Sequence, residues 1–289
     1  MEIFVVDAFS SIRFSGNQAG VVILNRDMDF PDDEFTRSLA AELKHSETAF
    51  VKQIGEREYK IRYFTPASEV ELCGHATIAS FCVLRDKKHI EYGGYALSTL
   101  AGELEVEVGA DSIWMGMAGP VDMGELDEID TETLYRAYGL TEADCPRDLR
   151  PRRVCTGISD IMMPVKSIAA LNGAVQNEET VKELSHKLGV VGVHMFCLSE
   201  CEEATAHCRN FAPLFGISEE SATGTANGAL TYYLYKFGII KTDEMNSFIQ
   251  GEAMGRRSVV LTRLQADGES VSITVGGNAV ATLCVSLEC

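Results

Sequence analysis

The chain has 289 residues, 46% of them hydrophobic by type, with 25 Lys+Arg against 43 Asp+Glu and a formal net charge of -18. That length favours two domains of about 100–150 residues, and the composition suits packed globular cores. The acidic balance argues against nucleic acid and anionic membrane surfaces, which both demand a basic footprint, so an anionic substrate has to be attracted locally.

The first residues, Met1-Glu2-Ile3, form neither a basic n-region nor an apolar h-region, and no apolar run approaches the ~18 residues of a bilayer span; a cytoplasmic location is expected. Glu2 to Asp7 and Gly20 to Leu24 read as buried strands, with Ser15-Gly16-Asn17 as turn material before the second. From Asp32 to Leu43 the period changes: Asp32 or Asp33 is the N-cap, and Phe35, Leu39 and Leu43 form one helical stripe. Strands follow at Thr48 to Lys52 and Tyr59 to Phe64, then an apolar helix at Ala76 to Leu84. Three β segments, Tyr95–Leu100, Glu103–Val108 and Ile113–Met117, lead to Gly119-Pro120, which closes the first half at residues 1–120.

Residues 121–289 are expected to repeat the order. Val121 to Arg153 reads as an acidic connector, a short helix near Leu134–Tyr138 and a basic run, all of it solvated. A strand at Ile161–Val165 precedes an amphipathic helix from Asn177 to Leu188, with Gly189 as its C′ residue. Strands at Val193–Leu198 and Ala206–Phe211 deliver a helix from Ala226 to Phe237 that is apolar around most of its circumference and stops at Gly238. A helix apolar all round is enclosed. The closing β segments are Ser258–Leu264, Val271–Val275 and Ala281–Leu287, and the last strand is free to pack back on the first half.

One short pattern occurs in both halves. Phe64-Thr65-Pro66 leads through Glu69 and Glu71 to Cys73-Gly74-His75-Ala76-Thr77; Phe211-Ala212-Pro213 leads through Glu219 and Glu220 to Thr223-Gly224-Thr225-Ala226-Asn227. A glycine at a helix mouth leaves backbone N–H groups without intrahelical acceptors, and the aligned peptide dipoles add partial positive charge there. Each mouth is therefore a ready carboxylate site, and related halves are expected to face their mouths across one cleft.

Nine cysteines, an odd number scattered through apolar sequence (Cys82, Cys155, Cys197, Cys284), read as reduced thiols. No CxxC occurs and His207-Cys208 is the one adjacent His/Cys pair, so no metal is expected. Gly276-Gly277-Asn278 lacks GxGxxG or Walker spacing and reads as a turn between strands.

Five motifs in order give the chain a family resemblance: His45-Ser46-Glu47-Thr48, Leu72 to Thr77, Arg209-Asn210-Phe211-Ala212-Pro213 with Gly216-Ile217, Ala222 to Ala226, and Gln250-Gly251-Glu252-Ala253-Met254-Gly255-Arg256. In these residues it resembles the isomerases similar to the phenazine-biosynthesis enzyme PhzF. The resemblance implies an α+β, diaminopimelate-epimerase-like fold: two pseudo-symmetric halves, each a strongly curved, mostly antiparallel, barrel-like sheet around a central helix. It implies Glu47 as catalytic acid/base and His75 and Glu220 as groups that hold and polarise the substrate. Thr225 would hydrogen-bond the substrate, and Gly74, Ala76, Gly224 and Ala226 would line the two mouths. The implied reaction is a proton shift along a cyclohexadiene amino acid, of the trans-2,3-dihydro-3-hydroxyanthranilate type, without a cofactor. Expected partners are a small carboxylate or amino-acid-like substrate and a second copy in a homodimer.

Two departures fall in the pocket. Where the family has Glu-Asp-Pro, this chain has Glu219-Glu220-Ser221, a longer anchor without the rigid proline, and the usual serine is Thr225. Taken without the family, Glu47 is a loop glutamate of the kind usually solvated. His75 alone could simply hydrogen-bond a neighbour at its helix end. Racemases of this fold oppose two cysteines, whereas here the repeat sets Thr223 opposite Cys73, and a threonine hydroxyl is no base for a carbon acid. Cys73 is therefore expected to pack. The alternatives to the isomerase are a two-base epimerase or racemase of the same fold and a catalytically silent small-anion binding protein.

Overall fold

A computed structural model describes residues 1–199, 203–268, 270–285 and 287. Backbone proximity divides the chain into two units, Met1–Gly116 with Gly276–Cys289, and Met117–Val275.

In chain order the first unit contains β1 (Glu2–Ala8), β2 (Asn17–Ile23), α1 (Asp33–Leu43), β3 (Thr48–Gln53), β4 (Glu58–Phe64), β5 (Glu69–Val70), α2 (Gly74–Asp86), β6 (Gly93–Thr99), β7 (Gly102–Val108) and β8 (Ile113–Gly116). The terminal strand Ala279–Val285 pairs antiparallel with β1. From β1 the ladder runs to β2, β3, β4, β6, β7 and β8, parallel at β2/β3 and β4/β6 and antiparallel elsewhere. Parallel neighbours need a crossover. α1 supplies the first crossover and α2 the second.

α1 starts where Asp32 accepts the Phe35 N–H at 2.8 Å, and ends at Lys44 in the left-handed region. Its apolar stripe covers Ile3, Val22, Phe50 and Phe64 on one face of the sheet. Strand alternation turns Tyr63 to the other face, where its hydroxyl meets Thr77 of α2 at 2.6 Å. Every α2 residue from His75 to Leu84 is buried. Ile78, Phe81, Val83 and Leu84 are almost fully removed from water, each contributing roughly 1.5–3 kcal/mol.

The second unit repeats this order. It contains β9 (Val121–Glu125), α3 (Glu128–Ala137), β10 (Arg152–Cys155), β11 (Ser159–Pro164), α4 (Ile168–Gly173), α5 (Glu178–Leu188), β12 (Gly192–Leu198), β13 (Ala206–Ala212), β14 (Ile217–Glu220), α6 (Gly224–Lys236), β15 (Met245–Gln250), β16 (Ser258–Asp267) and β17 (Ser270–Gly277), whose last residues belong to the first unit. Its ladder is parallel at β11/β12 and β13/β15, the counterparts of β2/β3 and β4/β6. β9 pairs with β10 as the terminal strand pairs with β1. Each unit is thus a curved, mostly antiparallel sheet around one buried helix, α2 or α6.

The short helix expected near Leu134–Tyr138 is present as α3, but the segment is not the solvated connector that was expected. α3 places Leu134, Tyr135 and Tyr138 in a core with Val181 and Leu184 of α5 and Phe211 of β13. Its charges are neutralised by pairing that composition does not show. Arg152 Nη1 lies 2.9 Å from Asp122, and Arg153 donates to the Leu188 and Met123 carbonyls. β15 also stands where no strand was expected, because Asn246 and Gln250 are buried polar residues that break an apolar pattern. Among the described residues no helix is long and apolar enough to cross a membrane.

Candidate active site

Both central helices begin at an N-cap residue in extended conformation, Cys73 for α2 and Thr223 for α6, and neither side chain caps its helix. The first intrahelical bonds come from Thr77 N to Cys73 O and from Asn227 N to Thr223 O. The amides of Gly74 to Ala76 and of Gly224 to Ala226 therefore have no acceptor within their helices, which equips each mouth for an anion.

At the α2 mouth, Glu47 arrives on the turn between α1 and β3, its carbonyl held by Gly20 N–H at 3.1 Å. Its side chain is 19% exposed, and its Oε2 lies 3.4 Å from His75 Nε2. That oxygen is buried and has no other hydrogen-bond partner among the described residues. The His75 ring, 6% exposed, is flanked on its far side by Asn17 Nδ2, 3.4 Å from Nδ1. Cys73 Sγ sits 3.4 Å from Nδ1 and 3.8 Å from Nε2. With Asn17 Nδ2 beside Nδ1, Nε2 is the ring nitrogen on the Glu47 side. A carboxylate with one weakly held lone pair, beside an imidazole fixed from behind, can accept a proton from a substrate carbon and return it.

The ligand atoms of Glu47, Cys73 and His75 all lie within 4.8 Å of one another, a set that can also hold a divalent metal ion. Sequence spacing concealed it because Glu47 is remote in the chain. Cys73 Sγ also contacts the imidazole directly, a closer relation than simple packing implies. Asn17, read as turn material, is the residue that sequence reasoning missed; only the register of β2 beside α2 reveals it. Cys73, Cys82, Cys145, Cys155, Cys197, Cys208 and Cys284 carry thiols rather than disulfides. Burial pushes the Cys82 thiol up to about 12 and Cys208 well above its ordinary value.

At the α6 mouth, Glu220 Oε2 accepts the Thr223 hydroxyl at 2.7 Å. The Thr225 carbonyl accepts from Thr156 at 2.9 Å, and its hydroxyl has no partner among the described residues. Behind the mouth lies a buried polar group: Asn210, Asn227 and Gln250 from the sequence motifs, joined by Asp160 and His194, which the sequence did not flag. Burial, then the nearby Glu220 charge, raises Asp160 to about 7, and burial lowers His194 to about 3. The signal available was a charged or imidazole side chain inside an apolar strand.

The arginines next to each mouth are already engaged. Arg62 forks onto Glu69 at 2.7 Å and reaches Asp33, and its counterpart Arg209 forks onto Glu219 and donates to the Leu171 and Ala174 carbonyls.

A repeated curved sheet around a buried helix with an uncapped mouth defines the diaminopimelate-epimerase-like class. A hydroxyproline epimerase from Agrobacterium vitis shares this fold at TM-score 0.63 and 14% identity, over 99% of this chain and 90% of that one. The sequence matches the family described as phenazine biosynthesis-like protein over residues 6–284. It is 33% identical to an uncharacterized isomerase of Clostridium acetobutylicum, over 96% of this chain and 95% of that protein. To the uncharacterized isomerase YddE of Escherichia coli K12 it is 31% identical, again over 96% and 95%. The crystal structure of the Bacillus anthracis phenazine biosynthesis protein of the PhzF family superposes with TM-score 0.90 at 25% identity, covering 100% of this chain and 99% of that one. The chain belongs to the phenazine biosynthesis-like family and is an enzyme of the PhzF-like isomerase type.

Proposed function

We propose that this enzyme moves a proton between two carbons of a small carboxylate substrate, without a cofactor, and that Glu47 carries the proton. The supporting observation is the Glu47–His75 pair at the α2 mouth, with a buried carboxylate oxygen 3.4 Å from an imidazole held by Asn17. In this reading the substrate carboxylate takes the open amides of Gly74 to Ala76. Glu47 accepts a proton from one carbon, the released electron pair moves along the adjacent unsaturated system, and the same carboxyl returns a proton to a second carbon on that face. His75 holds and polarises the substrate. A single acid/base suffices because abstraction and return occur on one side.

The α6 mouth, with Glu220, Gly224, Thr225 and Ala226, is the same kind of device with a carboxylate of its own. The Thr223 hydroxyl is committed to Glu220, which weighs against a two-base inversion in which residue 223 exchanges protons with carbon. A trans-2,3-dihydro-3-hydroxyanthranilate-like acid is the substrate type we favour, from the family resemblance.

The test is incubation with unsaturated amino and hydroxy acids in deuterium oxide. The expected result is deuterium at a new carbon with the double bond moved. Label at an unmoved centre with loss of stereochemistry supports the epimerase instead, and binding without label supports the silent anion-binding protein.

A further inference from the structure

Gln250 ends β15 and opens the Gln250-Gly251-Glu252-Ala253-Met254-Gly255-Arg256 segment. Its side chain is fully buried, and every polar direction on it is used. Oε1 accepts the Thr223 backbone N–H at 3.2 Å and Asn227 Nδ2–H at 2.8 Å. Nε2 donates to the Glu220 carbonyl at 2.7 Å and to Thr223 Oγ1 at 3.2 Å. The amide orientation is unambiguous because a backbone N–H only donates and a backbone carbonyl only accepts. With a Gln250 proton directed at Thr223 Oγ1, the one hydroxyl proton is left for Glu220 Oε2, at 2.7 Å.

The chain of bonds continues inward. Asn227 Nδ2 also donates to the Thr223 carbonyl at 2.9 Å, and Asn227 lies beside His194, with Asn227 Oδ1 and His194 Nε2 both buried and without a hydrogen-bond partner among the described residues. His194 Nδ1 in turn meets Asn210 Nδ2 at 3.3 Å. Gly251 closes the arrangement from behind. It lies at φ +81°, and a Cβ there would stand 2.5 Å from the Arg256 carbonyl and 2.7 Å from the Ser221 carbonyl. The Glu220–Thr223 loop is therefore clamped through both its backbone and its side chains.

The fold does not need this clamp. Aligning the halves at Phe64 and Phe211 pairs Tyr59 with Ala206, whose parallel partners are Leu97 and Phe248. Two residues further on, Thr99 matches Gln250, and Thr99 only closes a turn onto the Gly102 carbonyl at 2.9 Å. The first unit builds the same sheet and central helix with no such amide.

We propose that Gln250 is a positioning residue that sets the Thr223 hydroxyl so that Glu220 is held as an anion in one orientation, ready to receive a substrate ammonium. The ammonium clause rests on the function proposed above; the Gln250–Thr223–Glu220 relay does not. Among the described residues, Asp160, buried on β11, is a titratable neighbour of this carboxylate.

The test uses the full chain without any substrate, so a failed isotope-exchange screen does not bear on it. The Glu220 side-chain carboxyl carbon is followed by NMR through a pH titration, assigned by its loss in Glu220→Gln and separated from Asp160 by Asp160→Asn. Gln250→Leu and Thr223→Val should each move the Glu220 midpoint upward by roughly half a unit to one unit, the scale of losing one hydrogen bond to a charged group. The double variant should move it no further, and Thr223→Ser should restore it. Gln250→Met keeps the length of the side chain but has neither the donors nor a charge; if Gln250→Leu does not fold, that variant and the Thr223 pair decide. An unmoved Glu220 midpoint in a folded Gln250 variant, or Gln250 and Thr223 effects that add independently, overturns the relay.

Discussion

At the mouth of α2 a carboxylate, an imidazole and a thiol share one small space, and their chemistry separates by what each lacks. Glu47 Oε2 has a lone pair directed at no partner closer than the His75 ring at 3.4 Å. The Cys73 thiol lies against the imidazole, but a thiol-based inversion needs a second acid, and the matching position holds Thr223 with its proton given to Glu220. Cys73→Ser is therefore expected to keep isotope exchange within about tenfold of the parent; a loss of about a thousandfold, the scale for an essential acid/base, would return the mechanism to the thiol. The duplicated motif made the two helix starts, at Gly74 and Gly224, legible in the sequence. The contacts of Asn17 and of Gln250, the latter already in a sequence motif, were not, because they come from strand register and burial, which residue type alone does not reveal.

At the scale of elements, amphipathic period and capping read correctly where one face is apolar. Asp32 caps α1, and Asn177 and Gly189 bound α5. The pattern fails where charges pair inside the structure, as Arg152 does with Asp122, or where a strand carries buried amides, as β15 does. The core of the second unit adds two opposed titrations. Asp160 is raised to about 7 in the folded chain, against about 4 unfolded, so its contribution to stability is full below about 4 and is lost as pH rises through 7. His194 is lowered to about 3, against about 6.5 unfolded, so its contribution is present above 6.5 and lost as pH falls toward 3. Between about 4 and 6.5 the two slopes offset each other. In urea unfolding across that window, Asp160→Asn should leave a stability that rises more steeply with pH, and His194→Asn one that falls. Unchanged slopes in both variants would mean that neither group is perturbed.

For the whole molecule, the net charge of -18 means that no long-range attraction draws an anion in. What attraction exists is local, about half a unit of positive charge at each helix N-terminus, and each mouth also carries a carboxylate, Glu47 or Glu220. The neighbouring guanidinium groups of Arg62 and Arg209 are held in forks by Glu69 and Glu219. Such mouths are expected to suit a neutral or zwitterionic amino or hydroxy acid and to repel a phosphate dianion. A thermal-shift screen should find stabilisation by amino or hydroxy acids; stabilisation confined to phosphate esters or nucleotides would contradict the isomerase assignment. The family and the repeated fold were readable from motif order, while the substrate was not, since Glu220-Ser221 and Thr225 depart from the family pattern at the residues that would contact it. The most direct measurement is deuterium incorporation from solvent into an isomerised acid by the parent enzyme and by Glu47→Gln, with binding of the same acid measured in parallel. Label is expected with the parent, and binding without label above background with Glu47→Gln; undiminished incorporation by the Glu47→Gln enzyme would overturn the Glu47 role and assign the proton to another group.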